Sequence, residues 1–129
     1  MFAGAGVDTL VSFGFDGWQV WYELFPGFAE ADSIVERTTR PNTPNYDSLA
    51  VSEQDFVAVY TDTNTAFAWE GHQKPLGLKI TQKSYAWSYS YAEDFVIFDF
   101  LIENISGLIG PPRTFKKLFM GVYVDGDCG

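Results

Sequence analysis

Residues 94–103 read DFVIFDFLIE, and their alternation decides the fold class. Successive side chains of a strand point to opposite faces, so Val96, Phe98, Phe100 and Ile102 make one wholly apolar face. Phe95, Ile97, Asp99, Leu101 and Glu103 make a mixed one. Residues 117–125, KLFMGVYVD, repeat the pattern, with Leu118, Met120, Val122 and Val124 opposite Lys117, Phe119, Gly121, Tyr123 and Asp125. The apolar faces match, which predicts that Phe98, Phe100, Ile102, Met120, Val122 and Val124 share one interior. Strands with one buried and one partly wetted face belong to antiparallel sheets.

Outward from this pair, period 2 fits the apolar residues better than period 3.6, and Val, Ile, Thr, Tyr, Phe and Trp dominate between clusters of Gly, Pro, Asn and Asp. Strands are predicted near 7–13, 18–25, 33–38, 56–62, 77–89, 94–103 and 117–125. No ten-residue amphipathic helix supplies the crossovers a parallel sheet needs. The predicted fold is all-β, an antiparallel β-sandwich of Ig-like or jelly-roll-like type with about seven strands and long loops. Those loops fall at 39–55, 63–76 and 104–116, all rich in turn formers, and Ser52 with Asp55 suits the cap of one short helical turn.

The chain has 129 residues, 47% hydrophobic and 18% aromatic, enough for one domain with a packed core. Residues 1–129 are therefore read as a single sandwich domain, and because the last apolar strand runs straight into VDGDCG, that domain is expected to be a piece of a larger protein. Eight basic against seventeen acidic residues give a formal charge of -9, which opposes attraction to nucleic-acid phosphates or anionic lipid. Cys128 has no second cysteine to pair with, and no zinc-type Cys/His spacing occurs. MFAGAGVDTLVS lacks the basic and apolar regions of a signal peptide, and no run of about 18 apolar residues occurs. No membrane insertion is expected, and no export signal is read in this chain.

Candidate binding chemistry centres on residues 84–95, SYAWSYSYAEDF. If the strand continues through them, Tyr85, Trp87, Tyr89 and Tyr91 form a row about 20 Å long on one face. Two readings compete. Exposed rings at that spacing stack on sugars, with Trp69 and His72 of the neighbouring loop completing a cleft, so the candidate ligand-binding residues are Trp69, Trp87, Tyr89 and Tyr91. Alternatively the row covers a sheet face, with Trp87 and Tyr89 packed and Tyr91, beside Glu93 and Asp94, left partly exposed.

Asp125-Gly126-Asp127-Cys128-Gly129 has the D-x-D-x-G spacing that opens a calcium loop, which makes Asp125 and Asp127 candidate metal ligands. The plainer reading is a turn after a strand, and no cofactor is predicted. A glycosidase needs two carboxylates roughly 5 to 9.5 Å apart, and Glu93, Asp94 and Asp99 lie near the aromatic row. Seventeen acids in 129 positions make such a pair easy to meet by chance. His72 has no triad or zinc motif around it, so the chain is read as non-enzymatic, with no catalytic residue. Asn104-Ile105-Ser106 fits a glycosylation acceptor, and Arg113, Lys116 and Lys117 form the basic cluster.

Residues 42–63 (NTPNYDSLAVSEQDFVAVYTDT), 75–105 (PLGLKITQKSYAWSYSYAEDFVIFDFLIENI) and 118–129 (LFMGVYVDGDCG) resemble an uncharacterised internal module of very large secreted bacterial proteins. Many of those proteins end in a type IX secretion sorting domain. The resemblance spans about residues 33–127. It implies a β-hairpin from DFVIFDFLIENI into LFMGVYVDGD within a surface-exposed sandwich, outside the cell or on its surface, and it brings no catalytic motif. The expected role is non-enzymatic, in assembly, adhesion or spacing, with carbohydrate binding as the alternative and a glycoside hydrolase fragment as a third. Expected partners are proteins or further copies of the chain, paired through the C-terminal strand edge, and glycans.

Overall fold

The computed structural model describes residues 34–63 and 75–122. Within them the chain is all-β: four strands and one single-turn 3-10 helix at Ser106–Leu108. Strand β1 is Val35–Arg37, β2 is Gln54–Thr61, β3 is Leu78–Ala86 and β4 is Ile97–Asn104. They form one sheet in the order β1-β2-β3-β4, every neighbour antiparallel. The predicted strands near 33–38, 56–62, 77–89 and 94–103 are these four. Those near 7–13 and 18–25 lie outside the described residues.

The register places Phe56 opposite Ser84 and Ser84 opposite Phe98, and then Ala58, Gln82 and Phe100 in one row and Tyr60, Ile80 and Ile102 in the next. Alternation puts all nine on one face, where the rings of Phe98 and Phe100 stand 6.4 Å apart and Tyr60 Oη donates to Gln82 Oε1 at 3.0 Å. The opposite face carries charge. Lys79 pairs with Glu103 at 2.8 Å, and Tyr85 Oη donates to Asp99 at 3.3 Å. Cross-strand pairs of this kind set which face tolerates water.

The expected shared interior is not found: Phe98, Met120 and Val122 are exposed, Phe100 and Ile102 are half-buried, and Val124 lies outside the described residues. Leu76, Leu78, Ile80 and Ala92 are buried, whereas Phe98 is 57% exposed. Residues 117–122 correct the prediction for 117–125: they form no strand, and Leu118, Phe119, Met120 and Val122 are exposed. Alternation of side chains is necessary for a strand but not sufficient, because a strand also needs a ladder partner for its main-chain groups, and among the described residues none is paired with it.

The ends of the sheet are fastened by buried polar groups. Asp62, just after β2, accepts from Leu78 N at 2.8 Å and from Gly77 N at 3.1 Å. Gly77 has φ +81, and its carbonyl accepts from Ile105 N at 2.7 Å. At the last residue of β4 the exposed Asn104 accepts through Oδ1 from N and Oγ of the buried Ser106, while Asn104 Nδ2 donates to the Arg113 carbonyl at 2.8 Å. The Asn104-Ile105-Ser106 tripeptide thus runs from the end of β4 into the 3-10 helix, and its side-chain amide is already committed within the fold.

Candidate functional site

Ser52 and Asp55 come together as their spacing predicts, but they start a strand rather than cap a helical turn. Asp55 is 2% exposed. Its Oδ2 accepts from Val51 N at 2.7 Å and its Oδ1 from Ser52 N at 2.8 Å and from Ser52 Oγ. Ser52 Oγ in turn accepts from Ala86 N at 3.1 Å. Residue 55 already belongs to β2, so the carboxylate folds the preceding loop back over its own strand. Thr38 adds a second tie, donating through Oγ1 to the Glu53 carbonyl at 2.6 Å.

Between these ties stands Glu53. Ser88 N and Ser88 Oγ both donate to its Oε2 at 2.6 Å, and Arg40 donates to its Oε1 through Nη2 at 2.9 Å and Nε at 3.2 Å. The Arg40 Nη2 also reaches Ser88 Oγ at 3.0 Å. These donors, the Ser88 hydroxyl first, then the Ser88 amide and Arg40, hold the Glu53 carboxyl down at about 2. A folded value below the unfolded 4.5 means that the clip contributes stability fully above pH 4.5 and loses it as pH falls from there toward 2. The Ser88 amide resonance should therefore titrate with a midpoint near 2. A midpoint near the ordinary 4.5 would show the clip to be absent in solution.

This clip decides the shape of the aromatic segment. β3 ends at Ala86 because its neighbours run out: β2 begins at Gln54, opposite Ala86, and β4 begins at Ile97, opposite Tyr85. Past that point Ser88 turns to Glu53, and Ala92 N closes a turn on the Tyr89 carbonyl at 2.7 Å, with Ala92 buried. The predicted 20 Å row on one strand face is thus replaced by a strand end and a turn. Tyr85 and Trp87 lie 6.5 Å apart at 40°, and Trp87 meets Phe95 at 6.4 Å. Tyr89 and Tyr91 instead stack on each other, centroids 5.5 Å apart and planes 9° apart.

Of the candidate ligand-binding residues, Trp87 is half-buried, Tyr89 is 48% exposed and Tyr91 is 81% exposed. The expected exposure of Tyr91 is found; Tyr89 is less packed than expected. Trp69, His72, Asp125 and Asp127 lie outside the described residues. Glu93 and Asp94 are exposed in the turn. Among the described residues no three or more His, Cys, Asp or Glu are grouped to hold a metal ion. Sequence reasoning missed Arg40, Glu53 and Ser88, whose contacts join residues far apart in the chain without a local pattern. Compared with protein-family models, with curated proteins and with solved structures, the chain matches none.

Proposed function

We propose that the chain is a non-enzymatic structural and interaction module, serving assembly, adhesion or spacing in a secreted or cell-surface bacterial protein. In this reading the four-stranded sheet is one layer of a β-sandwich. What supports it is how the acids and hydroxyls at the strand ends are engaged. Asp55, Glu53, Ser52 and Ser106 all bind main-chain N–H groups or neighbouring side chains that fasten loops. A general acid or nucleophile must instead be free to meet a substrate. Exposed Leu118, Phe119, Met120 and Val122 offer apolar contacts to protein partners or to further copies of the chain. Among the described residues no helix is long and apolar enough to cross a membrane.

One observation favours carbohydrate binding as a second reading: Tyr89 and Tyr91 form an exposed parallel pair on a turn held by Glu53. The outer face of Tyr91 is the ring surface open to a sugar, and a preorganised ring loses little entropy on binding. The test is a glycan array probed with the chain and with its Tyr91→Ala variant. Because Tyr91 is so exposed, the variant should keep its stability within about 0.5 kcal/mol. Glycan binding that Tyr91→Ala removes would establish the sugar reading, and an array without signal would remove it. Release of reducing sugar from any glycan would overturn the non-enzymatic reading.

A further inference from the structure

At β4 the sheet ends on open main chain. Ile105 N donates to the Gly77 carbonyl, one step past the pairing of Leu78 with Asn104. Main-chain groups of an antiparallel strand turn alternately to either side, so every second residue from Ile97 to Glu103 bonds to β3. The N–H and C=O groups of Phe98, Phe100 and Ile102 therefore point outward. Among the described residues no strand pairs with them, because β4 closes the order β1-β2-β3-β4. The other outer strand, β1, has 3 residues, whereas β4 has 8. We propose that β4 is an interface between copies of this chain: a second copy lays its own β4 antiparallel to this one, across a two-fold axis at Phe100. The two four-stranded sheets then join edge to edge. This rests on the reading of the chain as an interaction module and deepens it, with the pairing edge at β4 rather than at 117–125.

Register, charge and exposure favour the same strand as partner. With the axis at Phe100, the outward groups of Phe98 meet those of Ile102 in the second copy and Phe100 meets Phe100, so all three residues find donors and acceptors. The side chains that meet on this face are apolar. On the charged face Asp99 comes opposite Leu101, and Glu103 opposite Ile97. Sliding one strand by two residues would set Asp99 against Asp99 or against Glu103, and like charges directly opposite are destabilising. Sliding by one would bring outward groups against inward ones. The Phe100 register avoids both and pairs Ile97 through Glu103. Both carboxylates stay at the sheet surface, because the partner adds a strand beside them and not a layer above. Lys79 holds Glu103 at 2.8 Å and Lys83 is the cross-strand partner of Asp99, so the seam is locally balanced in a chain of charge -9. Phe98 and Leu101, each 57% exposed, lose water-facing apolar surface along it. One strand pair is a small interface, which makes the association weak and concentration-dependent.

Sedimentation of the full chain across protein concentration and salt tests the proposal. The average mass should rise toward that of two chains as concentration increases, and added salt should promote the rise by screening the -9 charges. Residue 101 reports the register, since it faces Asp99 of the second copy in both halves of the seam. Leu101→Lys should tighten association about 2- to 30-fold, and Leu101→Asp should loosen it by a similar factor. Being 57% exposed, residue 101 accepts either side chain without loss of core. Should a variant fail to fold, hydrogen exchange on the parent chain decides: amides of Phe98, Phe100 and Ile102 should slow as concentration rises, while those of Asp99 and Leu101, already bonded to β3, change less. Three results would overturn the proposal: a strictly monomeric chain at high concentration and high salt, association that treats both Leu101 variants alike, or outward amides already protected at high dilution. A monomer would leave the module free to serve other partners, whereas sugar release on the glycan array would overturn the module reading and leave the seam intact.

Discussion

Gly77→Ala is expected to destabilise the chain by roughly 2 to 5 kcal/mol, a large part of the 5 to 15 kcal/mol typical of a folded domain. Two costs combine. Gly77 sits at φ +81, a conformation that strains any residue with a Cβ. An added Cβ would also lie 2.5 Å from Ser106 Cα and 2.9 Å from Ser106 N, and backbone cannot swing aside as a side-chain tip can. Relief by shifting residue 77 would pull its N–H from Asp62 and its carbonyl from Ile105 N. Urea denaturation measures the loss, and a change below about 1 kcal/mol would mean that the 77–106 contact yields without cost.

Asp55→Ala is expected to cost about 2 to 4 kcal/mol, because Val51 N, Ser52 N and Ser52 Oγ lose their acceptor together and Ser52 is fully buried. Asp55→Asn should cost less, about 1 to 2 kcal/mol, since its amide keeps one acceptor oxygen and replaces the other with a donor that faces donors. The gap between the two variants is the informative quantity. Equal losses would point to packing rather than acceptor capacity, and no loss in either would deny the loop its anchor. The comparison uses the same denaturation curves, with ellipticity near 215 nm reporting the sheet.

Parts of this were legible in the sequence. DFVIFDFLIE showed which side of β4 is apolar, because side-chain alternation is a property of the strand alone. The same alternation misled over Tyr85 to Tyr91, where the strand stops because its neighbours β2 and β4 have no residues left to pair with it. Where a neighbour begins is fixed elsewhere in the chain. The Ser52–Asp55 spacing was visible, yet the same side-chain-to-amide bond serves a helix cap and a strand-entry loop, and the residues after Asp55 decide between them. Glu53 looked like one acid among seventeen. Its distinction comes from Ser88 and Arg40, which reach it only after the sheet has brought residues 35 and 13 positions away beside it.

The meander order of the strands also governs the sequence of events in folding. Among the described residues each strand pairs only with its neighbours along the chain, so no step among these four strands has to wait for a distant one to arrive. The connection between β3 and β4, residues 87–96, is shorter than those at 38–53 and 62–77, and the entropy of closure rises with length. The β3–β4 hairpin is therefore the cheapest first contact. Glu53 can take hold of Ser88 only once β2 has docked on that hairpin. The clip that shapes the tyrosine turn is consequently a late latch: the exposed pair of Tyr89 and Tyr91 takes its final form after the sheet beneath it is already assembled.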